Sequence, residues 1–250
     1  MLRYLPMLIV LVFSLTVKAQ SSDTIVATPK TSFSGSVGIT NNGFSIIPTF
    51  SLNSPAFIAN LAWKRKRFSF EPDIRLVPKL NKGGLIWWLR YKVVDKKKFS
   101  FRVGAHPAFS LIRKPVTDNG VDREITEVLR FFAFEAVPSY TVNKYLGFSA
   151  MYLEGHGLQN HGPQITRVLF LNTNITDLKL GEKLKLGLFP SVFFLNTDGY
   201  RGDYLTFTAS VSHRQWPIYL QSTINQTFKS NVPGNKEFMW NVLMGWKFGH

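Results

Sequence analysis

Phe238-Met-Trp-Asn-Val-Leu-Met-Gly-Trp-Lys-Phe248 decides how this chain is to be read. Every second residue is large and apolar: Phe238, Trp240, Val242, Met244, Trp246 and Phe248. The alternate set, Glu237, Met239, Asn241, Leu243, Gly245 and Lys247, is mixed and partly polar. A period of two puts the two sets on opposite faces of an extended strand, whereas a helix would scatter both around its circumference. The aromatic content favours a strand as well.

The same alternation fills the chain upstream. Phe44, Ile46, Pro48, Phe50 and Leu52 share one phase, as do Phe57, Ala59, Leu61 and Trp63. Phe68, Phe70, Pro72, Ile74 and Leu76 alternate with Ser69, Glu71, Asp73 and Arg75. Leu85, Trp87, Leu89, Tyr91 and Val93 alternate with Ile86, Trp88, Arg90, Lys92 and Val94. Phe99, Phe101, Val103 and Ala105 alternate with Ser100, Arg102, Gly104 and His106. Further runs cover about 125–138, 145–154, 164–176, 183–195, 203–212 and 217–228. That makes twelve runs from Phe44 onward, with a weaker one at Phe33 to Thr40. The weak run either extends the first strand across Asn41-Asn42-Gly43 or lies in the periplasm or lumen; one missed strand would make fourteen.

Two kinds of connection alternate along the chain, apart from the turn at 177–183, which fits either kind. Lys64–Arg67, Asp95–Lys98 and Val142–Lys144 are short and mostly basic. Pro78–Gly84, Arg113–Glu124, Gly155–Pro163, Asn196–Asp203 and Lys229–Asn235 are longer and rich in Gly, Asn, Asp and Pro. Short turns at one rim and long loops at the other are the habit of membrane barrels. If the last strand ends in the periplasm, the basic turns face the periplasm and the long loops face outward.

The N-terminus has the layout of a secretory signal peptide. Arg3 gives the positive start, Leu8 to Val17 the apolar stretch, and Val17-Lys18-Ala19 the small-residue site, with cleavage expected between Ala19 and Gln20. The apolar stretch is shorter than the roughly 20 residues of a spanning helix. The domain organisation expected is a signal peptide over 1–19, an N-terminal segment over 20–32, and a single barrel domain over 33–250.

The 250 residues contain no cysteine, which excludes a thiol nucleophile, a cysteine zinc site and a lipidated N-terminal Cys. Beyond Ser21 there is no second long apolar run for a helical membrane bundle. The formal charge of +15, from 30 basic and 15 acidic side chains, raises the question of nucleic acid. An export signal argues against that partner and favours anionic lipid headgroups, lipopolysaccharide phosphates or acidic solutes.

These features predict an all-β fold: an antiparallel up-and-down transmembrane β-barrel of about twelve strands. Phe44, Phe57, Trp63, Phe68, Trp87, Tyr91, Phe99, Phe101, Leu184, Leu186, Phe207, Trp240 and Trp246 are expected to face lipid. Trp63, Tyr145, Trp216 and Trp246 are expected in interfacial girdles. The competing fold is a soluble sandwich or lipocalin-like barrel with the same residues as its core. A content of 45% hydrophobic and 18% charged residues leaves little polar cover for that.

Signal peptide, alternating aromatic strands and aromatic final strand together resemble the small porin-like outer-membrane barrels of Gram-negative bacteria. The resemblance spans the mature chain and rests on pattern, not on a motif. It implies insertion by the barrel-assembly machinery, with Trp246 and Phe248 as the assembly signal. It departs from that pattern at Gly249-His250, which follow the last aromatic.

The polar phase carries candidate lumen residues: Glu71, Asp73, Arg75, Arg90, Lys92, Arg102 and His106. Facing inward, they form a mixed-sign ladder that acts either as a solute-selecting constriction or as a salt-bridged plug. Glu154, His156 and His161, in Tyr152-Leu-Glu-Gly-His-Gly-Leu-Gln-Asn-His-Gly-Pro163, are loop candidates for a metal or a base. Their spacing matches no standard zinc arrangement, and no metal or other cofactor is implied. Outer-membrane lipases that resemble this architecture use His-x-Ser, and the proteases use His-Asp and Asp-Asp pairs. The sequence contains none of these, nor a Gly-x-Ser-x-Gly elbow, and no catalytic residue is assigned. The function expected is a narrow porin-like channel for small solutes. The alternatives are a plugged surface-binding barrel and a lipid- or lipopolysaccharide-modifying enzyme.

Overall fold

The computed structural model describes residues 31–43, 45, 48–118 and 121–249. The expected signal peptide and the lipid-facing position of Phe44 lie outside them. Twelve strands make up nearly all of the described chain. They are β1 (Thr31–Thr40), β2 (Ala56–Arg65), β3 (Phe68–Leu76), β4 (Gly83–Asp95), β5 (Phe99–Asp118) and β6 (Val121–Thr141), followed by β7 (Leu146–Gly157), β8 (Ile165–Leu180), β9 (Leu184–Thr197), β10 (Tyr200–His213), β11 (Ile218–Ser230) and β12 (Phe238–Gly249). Each pairs antiparallel with its sequence neighbours, and β1 closes the barrel on β12. The closing seam runs from Ser34 opposite Gly249 to Thr40 opposite Leu243. Closure leaves no sheet edge along the seam.

Alternation fixes which face is which. On β12, Phe238, Trp240, Val242, Met244 and Trp246 are exposed, while Met239, Asn241, Leu243 and Gly245 are buried. The large aromatics Phe57, Trp63, Phe68, Tyr91 and Phe99 are likewise exposed on the outer wall, and the charged and polar side chains of the other phase turn inward. This is the reverse of a soluble core and fits a barrel whose solvent is hydrocarbon.

Three expectations about elements are corrected. The run Phe44 to Leu52 is not a strand: its described residues form an irregular segment with one 3-10 turn at Pro48–Phe50, and Phe50 packs against the lumen-facing cluster of Ala108, Leu129 and Phe131. The weaker run is the true first strand, beginning at Thr31. The reason lies in the backbone. Pro48 offers no N–H to a ladder, and one apolar phase serves equally well to pack a segment against the inside of a wall. The second correction is at Asn196 to Asp203, which is not a long loop. Thr197 pairs with Tyr200 across a two-residue turn, Asp198-Gly199, with φ of 49° and 87°. Both turn residues have the positive φ of a tight hairpin.

The turns at 66–67, 96–98, 142–145, 181–183 and 214–217 share one rim with the two ends of the described chain; the connections at 41–55, 77–82, 158–164 and 231–237 share the other. β5 and β6, with 20 and 21 residues, outrun the roughly 9–11 that a tilted strand needs to span a bilayer. The expected loop Arg113–Glu124 is therefore mostly strand, a ribbon standing beyond the barrel at the loop rim, tied by an Arg113–Glu124 ion pair.

Candidate functional site

The lumen is where the polar phase converges. Arg90 on β4 and Glu135 on β6 are not on adjacent strands; β5 runs between them, and Gly104 is opposite both in register. Lacking a side chain, Gly104 leaves the space through which they meet. A Cβ there would stand 2.9 Å from Glu135 Cγ and 3.0 Å from Arg90 Cγ. Arg90 donates through Nε to Glu135 Oε1 at 2.7 Å and through Nη2 to Oε2 at 3.2 Å, and its Nη1 pairs with Glu71. Ser69 donates its hydroxyl to Glu71 at 2.7 Å. Arg102 Nε lies 3.1 Å from Glu135 Oε1, in ion-pair contact but without hydrogen-bond geometry.

The result is a neutral belt of two carboxylates and two guanidiniums across β3 to β6. The Glu135 side chain is fully buried, and those of Arg90, Glu71 and Arg102 are 14%, 20% and 33% exposed. Charges this far from bulk water persist only when paired. Next to the belt, Trp88 lies between Arg90, whose Cζ is 4.1 Å from its ring centroid, and His106, whose ring meets it edge-on at 4.0 Å. His106 Nδ1 is buried without a hydrogen-bond partner among the described residues. Asp73 and Arg75 pair with each other along β3 at 2.8 Å.

Of the seven lumen candidates, the structure thus joins Glu71, Arg90 and Arg102, sets His106 beside them, and keeps Asp73 and Arg75 as a separate pair. Lys92 sits nearer the short-turn rim with Asp95, 3.2 Å away and well exposed. Glu135 escaped the sequence reading although it anchors the belt. Its signal was present: between Leu129 and Val137 it is the one charged residue in a phase otherwise made of Leu129, Phe131, Ala133 and Val137.

Glu71, Asp73, Trp88 and Arg90 line a cavity of about 530 Å³ together with Ser34, Ser36, Asn60 and Lys247. Towards the loop rim the lumen fills with apolar side chains. Phe50 from the β1–β2 segment meets Phe131 edge-on at 5.1 Å. Val232 from the β11–β12 connection packs into Phe193, Tyr204, Phe170, Val168 and Leu195. Glu154 and His156, expected in a loop, are instead on β7 and point to the outer wall, opposite Phe134 and Phe132. His161 is in a loop, but its Nε2 lies 2.7 Å from Glu127 on β6, so the three do not form one site. Trp246 and Phe248 are both on the outer phase at the closing seam, Phe248 tilted against Phe33 at 6.0 Å.

No family model and no curated protein matches this chain. Among solved structures, an outer membrane channel from Pseudomonas putida F1 aligns with 93% of this chain and 100% of its own at 9% identity, with a TM-score of 0.51. OmpT of Vibrio cholerae, expressed in the outer membrane, aligns with 93% of this chain and 100% of its own at 10% identity and a TM-score of 0.46. LpxR from Salmonella typhimurium covers 86% of this chain and 99% of its own at 9% identity, also at 0.46. At such identities the likeness is one of fold, and the Pseudomonas channel carries it: the chain has the architecture of an outer-membrane β-barrel.

Proposed function

We propose that this chain is exported and inserted into the outer membrane, where it passes small polar solutes through a narrow lumen of mixed charge. The observation that carries this reading is the paired belt Glu71–Arg90–Glu135–Arg102, part of which forms the wall of a polar cavity inside the barrel. Polar rings facing a water-filled constriction select solutes by charge, and a neutral belt with two partly exposed arms, Glu71 and Arg102, suits small zwitterionic or uncharged solutes. A second reading, a plugged barrel that works through its loops, is favoured by one feature: Phe50 and Val232 pack the lumen near the loop rim.

Planar-bilayer recording separates the two. The channel reading expects discrete conductance steps from the purified protein. Glu71→Gln should shift the reversal potential toward anion selectivity and Arg102→Gln toward cation selectivity. Silence from folded wild-type protein and both variants would leave the plugged barrel as the function.

A further inference from the structure

The outer wall carries charge where hydrocarbon would not tolerate it. Arg130 on β6, Glu154 and His156 on β7, and Arg167 on β8 all belong to the outward phase, since their register partners are Phe109, Phe134, Phe132 and Glu154. Glu154 is the hub. It accepts from the Tyr152 hydroxyl at 2.7 Å and from Arg167 Nε at 3.0 Å, and His156 Nε2 lies 3.1 Å from its other oxygen. Arg167 and His156 remain 53% and 42% exposed. Arg130 is exposed and has no ion-pair partner among the described residues.

The position of this cluster is specific. It lies at the loop end of these strands, where Leu158 N donates to Arg130 O. Leu169 and Leu171 follow Arg167 on the same outer phase towards the other rim, while Phe134 is level with Glu154, and all three are exposed. A guanidinium facing the bilayer midplane is costly, and far less so near the interface, so these groups belong at the headgroup level with the acyl chains below. The cations outnumber the single carboxylate, and that carboxylate holds Arg167 by Nε. Arginine's planar fork matches phosphate oxygens better than any other side chain does.

We infer that His156 and Arg167, held by Glu154, together with Arg130 further towards the loop rim, bind the phosphate-bearing headgroup of a membrane lipid in the leaflet at that rim, its acyl chains lying on Leu169 and Leu171. The inference rests on the barrel spanning a membrane, but not on the lumen being open.

Native mass spectrometry of the full barrel in detergent, titrated with diphosphorylated lipid A or with the same lipid after phosphatase treatment, tests it. Wild-type protein should retain the phosphorylated lipid in preference to the dephosphorylated one. Arg130→Gln with Arg167→Gln should weaken retention by about fivefold per arginine, or about twenty-fivefold together, while the gel shift between unboiled and boiled protein reports that the variant is folded. If the double variant does not fold, each single variant should still show its own fivefold loss. Equal retention of both lipids, an unchanged affinity in the folded variants, or full competition by millimolar inorganic phosphate would each overturn the inference. Loss of the gel shift in wild-type protein would instead remove the membrane reading beneath it.

Discussion

Gly104 stands opposite Arg90 on one side and Glu135 on the other, and its missing side chain lets an ion pair form across an intervening strand. Removing either anchor has a cost that follows from burial. Glu135→Ala leaves Arg90 in a site only 14% exposed with one of its two carboxylates gone; breaking a buried pair from one side costs about 3–5 kcal/mol. Urea unfolding in detergent or lipid vesicles should show a loss of that size, and a loss below about 1 kcal/mol would mean that water screens the belt. Gly104→Val should weaken the same belt without removing a charge, by forcing Arg90 and Glu135 apart. At this scale the sequence was partly legible. Glu71, Arg90 and Arg102 were found because each shares a phase with other polar side chains, opposite an apolar phase on the same strand. Glu135 was missed because its four phase neighbours are apolar and the mates that compensate it come from β4 and β5. Periodicity along one strand does not report a partner two strands away.

Two segments of similar sequence pattern have opposite fates. Thr31 to Thr40 is a thin strand of Ser, Gly and Thr with Phe33, Val37 and Ile39 on its outer phase, and it closes the barrel. The apolar run from Phe44 to Leu52 is richer in large side chains, yet its described part lies inside. What separates them is the hydrogen-bonding capacity of the backbone, which Pro48 reduces, and the cross-strand partners that Thr31 to Thr40 finds on both sides. The inward seat of Phe50 against Phe131 leads to a prediction for this element: Phe50→Ala should raise single-channel conductance severalfold over wild type while leaving the reversal potential unchanged, because the charged belt lies outside its contacts. An unchanged conductance would show that the β1–β2 segment does not limit passage. Turn geometry was hard to read for a related reason. Asn196 to Asp203 has a loop composition, but Asp198 satisfies Gln164 N and Ile165 N with its carboxylate at 2.8–3.1 Å, which pins a two-residue turn to the start of β8.

At the scale of the whole molecule the distribution of side chains is inverted: Trp63, Trp240, Trp246, Phe57 and Phe68 face out, and Glu135, Asn225 and Asn241 are buried within. An exposed apolar belt of this extent on a soluble protein would drive aggregation; in a bilayer it is the surface that holds the barrel in place. The closed twelve-strand architecture and the rim of the short basic turns were legible, because both depend on local alternation repeated along the chain; the place of the first strand and the length of the connections at Asn196–Asp203 and Arg113–Glu124 were not. What fills the lumen was not, because that depends on which connection folds inward. The most direct test of the account compares unboiled and boiled samples of the membrane-extracted protein by gel electrophoresis, after separating inner and outer membranes. The account predicts recovery in the outer-membrane fraction and a clear mobility shift on boiling. A soluble periplasmic protein that migrates identically in both lanes would contradict it and turn every outward aromatic named above into the core of a different fold.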